Sequence, residues 1–212
     1  MQPIVNVFKL KVAEGELEEF FRIGKTNFTQ SIAQEEGTLA MYLAEDAKEQ
    51  GFYVIEVYRD CMAYQEHIES AHFADFATFA QEFIPEKEGI ALIPQVLLEK
   101  ERLIQEEDLS KLSMSLTVVR IKESMERPFQ NELFETLHQE MQARESGVLY
   151  VGRVADSPNT WYIMDIFRTG HSLVAPFLEN KAYFEEMIKR ELSPIALVNK
   201  GNVVYPLIEK EL

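Results

Sequence analysis

The sequence predicts an α+β protein in which the element order β-α-β-β-α-β occurs twice. Two observations carry this. First, "EEGTLAMYLAEDAKEQGFYVIEVYRD" from Glu35 is echoed by "RESGVLYVGRVADSPNTWYIMDIFRT" from Arg144, about 110 residues on. Gly37 matches Gly147, Leu39 matches Leu149, and Phe52–Arg59 matches Trp161–Arg168. Second, each copy sits between a β-rich run and an amphipathic helical run ahead of it, and helical then β-rich runs behind it. Two such units in tandem form a pair of ferredoxin-like repeats.

The elements follow in order. "IVNVFKLKV" is β-rich with alternating character. "EGELEEFFRIGKTNFTQSIAQ" places Leu17, Phe20, Phe21, Gly24 and Phe28 at helical spacing, one apolar face. "TLAMYLAE" and "FYVIEVYR" read as a hairpin around the polar "DAKEQG". "MAYQEHIES" and "HFADFATFAQEF" read as helices, with Ser70 as the cap between them. "IALIPQVLLEK" closes the repeat as a strand, and Pro94 suggests an edge position or a bulge.

In the second repeat "SLTVVRIK" is a strand and "PFQNELFETLHQEMQ" a helix with Pro128 in its first turn. Two strands follow. "SLVAPFLEN" and "KAYFEEMIKREL" read as helical, and "VVYPLIEK" as the closing strand. The predicted organisation is a first domain over 1–100 carrying the candidate site, a charged linker over 101–113, and a degenerate second domain over 114–212. Both faces of "FYVIEVYR" are largely apolar, so both are expected to be buried. The simplest cover is sheet on sheet, a pseudo-dimer within one chain, with a further homodimer left open.

Composition narrows the function. The chain of 212 residues has a formal charge of −15 and no Lys/Arg cluster, which argues against nucleic acid. The same acidity disfavours anionic membrane surfaces. The N-terminus lacks the pattern of a secretion signal, and no run approaches a membrane span. The single cysteine, Cys61, fits a reducing cytoplasm. No phosphate-binding glycine loop and no nucleophile elbow occurs. His67 and His72 are not at ligand spacing on one helix face, and His138 and His171 are isolated, so no metal site is expected.

The candidate chemistry lies between Glu56 and Phe73. Glu56 stands among apolar neighbours in a strand, where burial penalises its charge; a structural ion pair would explain it equally well. His72 shares a helical stripe with Phe76, Phe79 and Phe83, so it faces a core or a cavity. The aromatic stripe by itself reads as core. The second repeat places Asp165 at the position of Glu56, but Pro176 and about Lys181 where the first has His67 and His72. Histidine chemistry, if present, is confined to the first repeat.

The stretch Glu56, Tyr58, Arg59, Asp60, Ala63, His67, Ser70, His72, Phe73, with "EEGTL" ahead of it, resembles the signature of the antibiotic biosynthesis monooxygenase (ABM) family. The resemblance implies a dimeric α+β barrel, here supplied by tandem copies, with an enclosed apolar pocket. It implies cofactor-independent oxygenation of a small aromatic or quinol-like substrate by molecular oxygen. On that reading His67, His72, Glu56 and Tyr58 are the catalytic set, Glu56 fixing a histidine's tautomer. Asn6, Phe52, Phe76 and Phe79 are the substrate-binding set, with no metal and no cofactor. Haem-degrading relatives use an Asn, a Trp and a ligand His; Asn6 fits, but His67 and Ala77 occupy the other two positions. The alternatives are an isomerase of a small keto compound and a non-catalytic ligand-binding module.

Overall fold

The structure, a computed structural model, describes residues 2–100, 102, 109–143, 147–168, 178–201 and 203–205, with the side chains of 136–143, 168 and 204 outside the description. The chain divides into two compact units. The first is Met1–Leu92, Arg102–Leu109 and Leu192–Gly201; the second is Ile93–Glu101, Ser110–Glu191 and Asn202–Leu212.

The first unit contains β1 (Ile4–Lys11), α1 (Leu17–Gln34), β2 (Thr38–Asp46), β3 (Gly51–Tyr58), α2 (Cys61–Ile68), α3 (Ala71–Phe83) and the opening of β4 (Glu86–Glu99). The order is the predicted one, with the second helical position split in two. β1 lies between β3 and β4, and β2 pairs with the other edge of β3, all antiparallel. The end of β8 (Phe184–Asn199) pairs with β2 and completes this unit's sheet.

Local chemistry explains the helices. α1 carries Glu18 and Glu19 in its first turn, favourable to the helix dipole. It buries Phe20, Gly24, Asn27, Phe28, Ser31 and Ile32, one face at 3–4 spacing. Asp60 caps α2 by accepting from the N–H groups of Met62 and Ala63. Ser70 caps α3 by accepting from Phe73, as the sequence predicts. Each cap is worth about 1 kcal/mol. β3 is buried along its whole length. Phe52, Val54 and Tyr58 pack in the cluster that includes Phe20, Phe28 and Phe79, while Tyr53, Ile55 and Val57 point to the opposite face and are buried too.

The second unit contains the rest of β4, β5 (Leu112–Ile121), α4 (Glu126–Ala143), β6 (Val148–Val154), β7 (Ser157–Arg168), the first half of β8 and β9 (Val204–Tyr205). β7 is central here as β3 is in the first unit, and Asp165 stands opposite Ser115 as Glu56 stands opposite Asn6. Pro128 falls in the first turn of α4, as predicted. β9 pairs with Leu97 and Leu98 of β4.

One expectation is overturned. "KAYFEEMIKREL" is not a helix: Lys181–Tyr183 form a single 3₁₀ turn and Phe184 begins the long strand β8. Its charged helix-forming residues mimic an amphipathic pattern, yet Met187 and Ile188, in the middle of that helix's apolar stripe, are exposed. Pairing of β8 beside β5 overrides local propensity. Most of the predicted helix "SLVAPFLEN" lies outside the described residues, as does the end of "VVYPLIEK". Among the described residues no helix is long and apolar enough to cross a membrane.

Candidate active site

A cavity of about 410 Å³ lies in the first unit between the sheet and α3. Phe8, Val54, Phe73 and Phe76 give it aromatic and aliphatic walls, and Ala77 and Ala80 on α3 leave the room. Its volume suits a small organic ligand. Glu56, Tyr64, Gln81 and Lys87 are the polar groups on its lining.

Glu56 is almost fully buried and accepts a hydrogen bond from the Tyr58 hydroxyl at 2.9 Å. Burial pushes its pKa up, against the opposing charge of His67 and the Tyr58 bond. Burial, and then the Glu56 carboxylate, raise Tyr58 well above the ordinary phenol range. Tyr64 is raised by the same two causes.

Behind the cavity wall lies a second constellation. Glu35, the C-cap residue of α1, places one carboxylate oxygen 2.6 Å from His72 Nε2. Both its oxygens lie 3.2 Å from His67 Nδ1. The Thr38 hydroxyl donates to the same carboxylate, and Lys200 Nζ donates to the backbone carbonyls of Glu35 and Glu36 at 2.7 Å each. Burial alone would raise Glu35, but the bonds from His67 and Thr38, the His67 charge and the His72 bond outweigh it and hold the carboxyl at about 2. His67 is fully buried, and its Nε2 has no hydrogen-bond partner among the described residues. Its ring meets Phe73 edge-on at 4.9 Å and lies 5.4 Å from the Tyr58 ring.

A glycine brings the helix and the carboxylate together. A Cβ on Gly37 would stand 2.3 Å from Ala63 Cβ, so α2 can approach this segment only over a glycine. The Arg59 amide also donates to the Gly37 carbonyl at 2.8 Å. The paired Gly37 and Ala63 therefore set the distance between Glu35 and the His67-bearing helix.

The structure thus brings Glu56 and Tyr58 together at the cavity, and joins His67 to His72 through Glu35. Neither histidine lines the cavity. His72 borders a separate groove between α1 and α3, with Phe79. Phe76 is in the cavity wall, whereas Phe52 and Phe79 pack on Phe20 at 5.1 and 6.3 Å. Asn6 is half-buried and opposite Glu56 across the strand pair. The carboxylate that faces His67 is Glu35, not the expected Glu56. Sequence reasoning gave no role to Glu35, Tyr64 or Lys87, although Glu35 opens the "EEGTL" stretch that carries part of the family resemblance.

Glu35, His67 and His72 lie close enough, within 4.8 Å, for their ligand-type atoms to share an ion. Two ligand atoms of one tetrahedral ion sit about 3.4 Å apart. The 2.6 Å contact between Glu35 and His72 is instead a direct hydrogen bond. Ala77, at the position where haem-degrading relatives carry the ligand, is a bare wall of the cavity.

The first unit thus carries a partly open aromatic cavity between a ferredoxin-like sheet and its helices, backed by capped histidine-bearing helices. Residues 3–78 match the family described as antibiotic biosynthesis monooxygenase, so the first repeat carries an ABM domain. The whole chain has the fold of a protein from Lactobacillus acidophilus provisionally assigned as a monooxygenase: TM-score 0.85, 24% identity, covering 96% of this chain and 99% of that one. A second protein, from Fusobacterium nucleatum and provisionally assigned likewise, gives TM-score 0.82 at 19% identity, covering 96% and 97%. The tandem two-repeat fold is therefore shared over nearly the full length. No curated protein matches the sequence.

Proposed function

We propose that the protein is a cofactor-independent oxygenase that acts on a small hydroxylated aromatic or quinol-like compound held in the cavity beside Glu56. The observation that carries this reading is the buried carboxyl of Glu56, hydrogen-bonded by Tyr58, on the wall of an aromatic chamber. A carboxylate whose pKa is raised by burial is a suitable base for a phenolic proton. The resulting substrate anion is rich in electrons and reduces oxygen directly. For a hydroxyarene the balance is one O₂ consumed, one oxygen atom added to a ring carbon to give a quinone, and the other released as water. The water carries the former O–H and C–H hydrogens. The apolar walls keep bulk water from the anion.

On this reading Glu56 is the catalytic base and Tyr58 its hydrogen-bond donor. His67 and His72 are positioning residues, fixing α2 and α3 and hence Phe73 and Tyr64 in the cavity wall. The test is oxygen uptake by the purified, metal-stripped protein with a panel of naphthols and naphthoquinols, against Glu56→Gln and the double variant His67→Ala, His72→Ala. Uptake above autoxidation that disappears in Glu56→Gln is the expected result. Turnover that persists without oxygen would replace this reading with the isomerase. Tight binding without any turnover would replace it with the binding module.

A further inference from the structure

Lys87 is a cation on the cavity wall; among the described residues it forms no ion pair, and its charge acts at longer range on the Glu56 carboxyl. Its neighbours Glu86 and Glu88 alternate to the opposite face of β4, where Lys11 holds Glu86 at 3.0 Å. The strand register fixes where this charge stands relative to Glu56. β1 separates the two strands: Lys87 is opposite Leu10, which is opposite Phe52, while Glu56 is opposite Asn6. Their Cα positions are therefore about 13 Å apart along the strands and about 10 Å across them, while the side chains are near enough for the lysine charge to act on the carboxyl. They stand at separate points of one cavity wall, a proton acceptor at one and a positive charge at the other.

Resting on the proposed function, we infer that the substrate is a hydroxyaryl acid: a rigid aromatic system with a hydroxyl at one end, directed to Glu56, and an anionic group at the far end, directed to Lys87. Gly89 supports this geometry. A Cβ there would stand 3.2 Å from the Phe8 ring, so its absence leaves room for that ring on β1, the strand between the two residues. Gln81, also on the lining, is a further donor in the cavity.

Three probes test the inference: 6-hydroxy-2-naphthoate, with its groups at opposite ends; 3-hydroxy-2-naphthoate, with them adjacent; and 2-naphthol, with no anion. Binding is read by fluorescence titration and turnover by oxygen uptake. Because Lys87 is exposed, the expected preference for the 6-hydroxy acid over 2-naphthol is modest, about fivefold. The 3-hydroxy acid should gain less. Lys87→Met should bring the ratio to one and Lys87→Arg should keep it, which separates charge from packing. Equal affinity for the three compounds, a preference untouched by Lys87→Met, or no binding at all would overturn the inference. The two readings fail separately. Oxygen uptake on 2-naphthol with no preference for the acid would sink the substrate class alone. A Lys87-dependent preference without uptake would sink the oxygenase alone.

Discussion

His72 Nε2 lies 2.6 Å from Glu35 Oε1, tying the start of α3 to the end of α1 across 37 residues of sequence. With His67 on the same carboxylate, three helices meet at one buried anion.

Removing that anion leaves buried imidazoles without their partner. Glu35→Gln should cost about 3–5 kcal/mol, the range for breaking one side of a buried pair. The wild type should also show a pH signature. A carboxyl held at about 2 in the folded state contributes stability that is complete above 4.5, its ordinary value. That contribution is lost as the pH falls toward 2 and the folded carboxyl takes its proton. Urea melts of both proteins between pH 6 and pH 2.5 check this; parallel curves would refute it.

Gly37→Ala should destabilise by about 1–3 kcal/mol, the cost of overpacking, because the new methyl meets Ala63 Cβ at 2.3 Å. Ala63→Gly in the same chain should recover part of the loss, since it removes the opposing atom. Thermal melts of the single and double variants decide. A double variant that is no more stable than Gly37→Ala would mean that the clash is not the cause.

Glu56→Gln should lower turnover by at least about 10²-fold, as expected for loss of a general base. It should do the opposite to stability. The folded state favours the neutral form of Glu56, so the wild type loses stability as the pH rises through the raised pKa. The variant has no such loss. The gap in melting temperature between variant and wild type should therefore widen from pH 5 to pH 9; a constant gap would show that Glu56 is not penalised by burial.

Lys200→Met removes two charge-assisted bonds to the carbonyls at the end of α1 and should cost about 1–2 kcal/mol. Amide exchange should quicken around Glu35–Gly37, ahead of the rest of the unit. Unchanged exchange there would remove Lys200 from the positioning set.

The reach of sequence reading follows the range of each interaction. Glu56 was legible as a lone acid in an apolar strand, and Ser70 as a cap, because their signals are local. The confinement of the histidine pair to the first repeat was legible too, from Pro176 and about Lys181 at the matching positions of the second. The meeting of those histidines on Glu35 was not, because they stand 32 and 37 residues from it. Nor was Lys87, which looks like one charge among acids until the β1–β4 register turns it toward the cavity. β8 was misread for the same reason: its residues favour a helix locally, and only strand pairing says otherwise.

The first unit closes its sheet with Leu192–Gly201, residues that belong by sequence to the second repeat. Ala196 and Val198 enter its core, and Lys200 clasps the backbone of Glu35. Because this strand is covalently attached, its effective concentration at the first unit does not fall on dilution. A separate subunit would offer the same strand only above its dissociation constant. The second copy is thus a permanent tether. It can lose imidazoles at the positions of His67 and His72 while still supplying the strand that completes the cavity-bearing unit's sheet.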